Sequence, residues 1–135
     1  MTWDANQPNA GFSSTKPWLP VKPEQVAHSA AQQADNPNSV LNFYKRMLRL
    51  RKASAPLKQG ATHFFATQEP ILAFKRGSDL LCVFNLSPTV QHVKLSGGQV
   101  TEVLLEAAQL VDGRLNLAGN GVALFQVTDE VAVSN

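Results

Sequence analysis

At 135 residues, with 44% hydrophobic and 16% charged side chains, the chain can bury one core but is too short for a complete (β/α)8 barrel. The composition excludes a disordered chain, no apolar run reaches bilayer length, and no stretch reads as a signal peptide. The net charge of +2 is mild; five of the twelve cations lie between Lys45 and Lys52, on the outer face and last turn of one predicted helix, so neither nucleic acid nor membrane is an expected partner.

Residues 1 to about 35 sustain no helical or strand period. Pro8, Pro17, Pro20 and Pro23 fall here together with Gly11, and each interrupts a regular hydrogen-bonded run. Yet the stretch holds both tryptophans, Trp3 and Trp18, along with Phe12, Leu19 and Val21. Large apolar groups on an aperiodic segment need a surface to bury against. A short helix over Glu24 to Gln33 is the one regular element expected there.

Residues 36 to 53 carry a helical pattern. Asn36 can cap and Pro37 suits a first helical position. Val40, Leu41, Tyr44, Met47 and Leu48 then recur on one face, expected to meet apolar partners, and Phe43 and Leu50 widen the stripe. Partial exposure is expected at Phe43, Met47 and Leu50. The cationic last turn and Pro56 mark the end.

From Gly60 the period becomes two. Strands are predicted at 62–66, 71–76, 80–86, 90–95, 100–105, 114–117 and 122–128. The turns between them are Glu69-Pro70, Gly77-Ser78-Asp79, Ser87-Pro88, Gly97-Gly98, Asp112-Gly113 and Gly119-Asn120-Gly121. Such spacing predicts an antiparallel β-sandwich. In the run Leu80-Leu81-Cys82-Val83-Phe84 both alternating sets are apolar, which places it at a sheet centre with both faces covered. Residues 129–135 read as a loose tail.

The side chains offer little chemistry. Acid–base or nucleophilic catalysis by carboxylates would need a pair held close together. The ten acids (Asp4, Glu24, Asp35, Glu69, Asp79, Glu102, Glu106, Asp112, Asp129 and Glu130) fall in loops, caps, turns, a strand and its end, and the tail. His28, His63 and His92 lack metal-ligand spacing, so neither a metal nor a cofactor is expected. Ser96-Gly97-Gly98 is a turn rather than a nucleophile elbow. Cys82, the single cysteine, sits in an apolar run and reads as a buried thiol, in keeping with a cytoplasmic setting. No catalytic residue is expected.

Three sequence runs resemble one family. They are Met1-Thr2-Trp3-Asp4, then Asn9-Ala10-Gly11-Phe12-Ser13, then Pro17-Trp18-Leu19-Pro20-Val21. They are similar to the loop after the last barrel strands in bacterial α-glucosidases of glycoside hydrolase family 13, the oligo-1,6-glucosidases, trehalulose synthases and trehalose synthases among them. Asp35-Asn36-Pro37 through Lys52 resembles the last barrel helix of those enzymes, and Leu80 to Ser87 a strand of their C-terminal β-domain.

The resemblance implies residues 1–59 as the loop and last helix of a catalytic barrel, 60–128 as an α-amylase-type C-terminal β-sandwich, and 129–135 as a tail. Met1 stands where the family motif has an internal methionine, so the resemblance implies a chain that begins inside a longer protein. The family's catalytic carboxylates would lie upstream, and the missing N-terminal barrel would be this chain's partner. Trp3 and Asp4 would then neighbour the substrate entrance of an intact α-glucosidase acting on maltose- or isomaltose-type oligosaccharides. Two other readings stand beside it: a carbohydrate-binding sandwich module, and an unrelated β-sandwich interaction domain. The sandwich has no Trp or Tyr to serve as a sugar platform. The match over residues 1–52 weighs against the second.

Overall fold

The computed structural model describes residues 1–128 and 131–135, and the chain divides into two units, Met1–Ala53 and Ser54–Asn135. In the first unit the proline-rich stretch forms a single 3-10 turn at Pro8–Gly11 and two short helices, α1 (Pro23–Ala27) and α2 (Ala30–Asp35). The helix expected over 24–33 is therefore broken at His28 and Ser29. The break follows from where the next N–H groups go. Ala30 and Ala31 donate to the carbonyls of Thr2 and Trp3, not back along a continuing helix.

The third helix, α3 (Val40–Ala53), starts three residues later than Pro37. Asn36 accepts the Asn38 N–H at 2.9 Å and makes a turn, while the buried Ser39 Oγ accepts the Asn42 N–H at 3.2 Å and caps the helix. Asn42 Nδ2 lies 2.8–3.0 Å from the carbonyls of Gln33, Ala34 and Asn36, and Gln33 Oε1 accepts the Leu41 N–H. These bonds use the carbonyls left open at the end of α2 and fix the angle into α3. The apolar stripe is not covered as expected. Val40, Tyr44 and Leu48 are exposed, and no residue of α3 is buried. Phe43, Met47 and Leu50 are half-buried, in line with the partial exposure expected of them. The unit offers only short helices and irregular chain beside α3, and α2 engages it at its first turns.

The second unit opens with α4 (Ala55–Gln59), where the sequence suggested only a helix stop. Ser54 caps it by accepting the Leu57 N–H, and Pro56 occupies its first turn. Among the described residues seven strands follow: β1 (Thr62–Phe64), β2 (Ile71–Arg76), β3 (Leu80–Asn85), β4 (Gln91–Ser96), β5 (Gln99–Val111), β6 (Arg114–Thr128) and β7 (Ala132–Ser134). They run antiparallel in the order β1-β2-β3-β6-β4-β7, with β5 also along β6.

The fifteen-residue β6 explains how one hydrogen-bonded sheet makes a sandwich. Its first part, Arg114 to Leu117, pairs with β4, and its later part, Val122 to Gln126, pairs with β3. Gly119-Asn120-Gly121, expected as a turn, is the bend between the two. Asn120 has φ 59° and donates its N–H to the Ser87 carbonyl, and a Cβ on Gly121 would lie 2.5 Å from the Ala107 carbonyl. Register shifts in β5 between Glu102 and Leu104, and between Glu106 and Ala108, let that strand follow the bend.

Leu115, Leu117, Ala123, Phe125 and Val127 keep one parity through the bend, so the same face stays inside. They join Ile71, Ala73, Leu81, Val83, Val93 and Leu95 in one core. As expected, β3 lies between β2 and β6, with Leu80 to Val83 all buried. The loose tail is corrected: β7 pairs with β4, Val131 and Val133 are buried, and the Asn135 side chain exchanges two hydrogen bonds with the Gln68 backbone. Of that tail, Asp129 and Glu130 lie outside the described residues.

Candidate functional site

The structure holds the Thr2-Trp3-Asp4 backbone from two sides. The N–H groups of Trp3 and Asp4 both donate to the Ala10 carbonyl, at 2.8 and 3.2 Å. On the other side the Thr2 and Trp3 carbonyls accept from Ala30 and Ala31 at the start of α2, and Thr2 Oγ1 donates to the Gln25 carbonyl. Backbone is thus fixed while the Trp3 indole stays 52% exposed. Asp4 Oδ1 accepts the Asn6 N–H at 2.9 Å, which ties one carboxylate oxygen into a local turn. Neither residue lines the largest described groove. That open groove of about 710 Å³ is walled by Met1, Phe12, Leu19, Val21, Lys22 and His28, so its chemistry is mostly apolar. Trp18, at 95% exposure, packs on almost nothing.

The remaining titratable groups are dispersed. Asp79 Oδ2, in the β2–β3 turn, accepts from Gln126 Nε2 on β6, Asp112 lies in the turn between β5 and β6, and His92 Nδ1 pairs with Asn116 Oδ1 at 2.7 Å on neighbouring strands. Among the described residues no three His, Cys, Asp or Glu side chains gather as a metal site. The Cys82 thiol is pushed up to about 11 by burial, with Arg76 pulling weakly the other way, so it is a neutral thiol at physiological pH. No helix among the described residues is long and apolar enough to cross a membrane.

Sequence reasoning missed two features of the sheet. Asn85, 2% exposed, donates from Nδ2 to the carbonyls of Thr89, Leu117 and Ala118 and accepts the Ser87 N–H and hydroxyl at Oδ1. It pins the β3–β4 connection to the bend in β6. Its only signal was a polar residue ending an apolar strand. The second is an aromatic row on the outer face. Phe74 stacks on Phe84 with centroids 5.7 Å apart, and Phe64, 70% exposed, meets Phe74 edge-on at 5.7 Å. Alternation along β1 to β3 puts these rings on the face opposite Leu81 and Val83.

The loop, the capped helix and the folded sandwich have known counterparts. The α-amylase family ("Alpha amylase, catalytic domain") matches residues 1–60. The solved α-glucosyl transfer enzyme XgtA superposes with a TM-score of 0.84 over 95% of this chain at 33% identity. Residues 1–60 are thus α-amylase-like, and the chain as a whole is similar to glucosidases of glycoside hydrolase family 13. Its relatives include a probable α-glucosidase of Rhizobium meliloti, 38% identical over 64% of this chain, and probable oligo-1,6-glucosidase 2 of Bacillus subtilis, 38% identical over 53%. The chain spans 16% and 13% of those two relatives and 25% of XgtA. The α-amylase-family match ends at residue 60, close to where this fold passes from helices to strands.

Proposed function

We propose that the chain acts as the C-terminal portion of an α-glucosidase for short α-glucosides of the maltose and isomaltose type, and catalyses nothing alone. Residues 1–59 would complete the catalytic barrel, and the sandwich from residue 60 would support it. The observation that carries this reading is a coincidence of position. The stretch matched to an α-amylase catalytic domain leaves Trp18, Leu19, Val40, Tyr44 and Leu48 exposed and buries no apolar side chain larger than Ala10. Side chains of that size stabilise a fold by about 1.5–3 kcal/mol each when buried. Their exposure supports a further partner surface, which a preceding barrel would supply. In that setting Trp3 and Asp4 would border the substrate entrance, and loops at that barrel face commonly build active sites. A cytoplasmic setting goes with the single buried thiol.

The test is an assay of the purified chain with a nitrophenyl α-glucoside, maltose and isomaltose. No glucose release is expected. Turnover abolished by replacing one of the acids would overturn the reading. Titration with maltodextrins, expected to give nothing tighter than roughly millimolar, separates the other candidate. A micromolar isotherm lost on Phe64→Ala would put a carbohydrate-binding module, seated on the aromatic row, in first place.

A further inference from the structure

Three consecutive residues in the first unit hold a left-handed backbone: Asn9 (φ 52°, ψ 30°), Ala10 (φ 53°, ψ 37°) and Gly11 (φ 70°). Only glycine takes this region freely. Asparagine tolerates it, and for alanine it is unfavourable because Cβ crowds the following carbonyl. Such strain persists where neighbouring bonds over-determine it. Here they do. Asn9 Nδ2 donates to the Ser13 carbonyl at 2.9 Å and the Thr15 carbonyl at 3.0 Å, and Phe12 N–H returns to the Asn9 carbonyl. Ala10, 4% exposed, donates its N–H to Gln7 at 2.9 Å. The product of this arrangement is one carbonyl. Ala10 O points at the N–H groups of both Trp3 and Asp4, and in an ordinary right-handed turn it would point elsewhere. Gly11 belongs to the same device: a Cβ there would sit 3.3 Å from Trp3 Cβ and 3.6 Å from the Asp4 nitrogen.

We propose that the left-handed Asn9-Ala10-Gly11 turn is a positioning lock, which sets Trp3 and Asp4 at the rim of the α-glucoside site. The functional half rests on the reading of Trp3 and Asp4 given under Proposed function; the lock itself rests on the backbone geometry. Asn9 acts through its tethers to Ser13 and Thr15. Ala10 supplies the carbonyl, so its side chain is dispensable and its backbone conformation is not.

Two measurements test this. The first is amide hydrogen exchange in the chain as it stands. Trp3 and Asp4 are expected to be protected, Asn9→Ala to speed their exchange at least tenfold, and Ala10→Gly to keep or increase protection, because glycine accepts the left-handed region without cost. Amides of Leu81 and Phe125 should be unchanged in both variants, showing that the sheet remains folded. Unprotected Trp3 and Asp4 in the unaltered chain would overturn the lock, and so would loss of protection in Ala10→Gly.

The second measurement uses the complete α-glucosidase carrying this segment, with nitrophenyl α-glucoside as substrate. Asn9→Ala is expected to raise KM at least fivefold with kcat within twofold, and Ala10→Gly to stay within twofold in both. An active enzyme whose KM ignores Asn9→Ala would overturn the placement at the substrate rim. A wild-type enzyme without α-glucosidase activity would sink the functional reading itself, and the placement with it.

Discussion

The two units of this chain are held by different forces. Ser54–Asn135 encloses an apolar core, in which Leu81, Val83, Val93, Leu115, Leu117 and Phe125 lose all contact with water. Met1–Ala53 buries only Ala10, Ser29 and Ser39, and is organised by polar bonds from Asn9, Gln33, Ser39 and Asn42. Apolar burial is the dominant favourable contribution to folding, whereas a hydrogen bond nets about 0.5–1.5 kcal/mol because water competes for the same groups. The contrast teaches that regular structure is a poor guide to autonomy. The longest helix lies in the less self-sufficient unit, and its amphipathic pattern is written for a surface.

That comparison can be broken by probes that report each unit separately. Both tryptophans lie in the first unit, so their fluorescence reports on it, while the strand signal in circular dichroism reports on the second. In urea the tryptophan transition is expected at lower denaturant than the strand transition; coincident transitions would mean one cooperative fold. The largest mutational effect should come from Phe125→Ala, about 3–5 kcal/mol off the strand transition. Tyr44→Ala and Leu48→Ala should leave both transitions within about 0.5 kcal/mol. A loss above about 2 kcal/mol at either helix position would show that the stripe is covered within this chain.

The next effect is expected at Asn85. Asn85→Leu removes the donor for three carbonyls at the β6 bend and should cost about 1–3 kcal/mol in the strand transition, with tryptophan fluorescence unaffected. A neutral result would mean that water replaces the amide there. Ser39→Ala comes third. Loss of the cap on α3 should cost about 1 kcal/mol, read in the tryptophan transition and absent from the strand transition. The smallest effect concerns Cys82. Its folded pKa is raised, so the neutral thiol favours the folded sheet, and that contribution should be lost as pH rises from about 9 to about 11. Cys82→Ala should flatten the strand-transition midpoint over that window, and an unchanged pH slope would count against a buried thiol.

Where residues repeat a local rule, the fold was legible in advance. The strands β2, β3 and β4 lie within a residue of their predicted bounds, because alternation and strong turn residues are read over a few positions. The cap on α3 was misplaced because Asn36 and Ser39 are both good caps, and the choice between them was made by Gln33 and Asn42, whose bonds depend on the angle to α2. The short α4 carried its signal openly, in Ser54 followed by Pro56, and was missed because proline was taken only as a stop. Trp3 and Asp4 became candidates through family resemblance; no spacing or charge pattern singles them out, since what distinguishes them is a carbonyl turned toward them by Ala10, further along the chain.

By itself, then, the sequence determined that helices precede the strands, that strands run from about Gly60 onward with β3 at the sheet centre, and a resemblance to the α-amylase family. Tertiary structure decided what depends on distant partners. Gly119-Asn120-Gly121 has the composition of a turn, yet the chain runs on as β6 because β5 and β3 supply ladder partners beyond it and Ala107 leaves room only for a glycine at position 121. Residues 131–135 read as a tail, yet Val131 and Val133 find the core and β4 offers an open edge. In both places the local preference is worth a few tenths of a kcal/mol per residue, and burial against residues far along the chain contributes more.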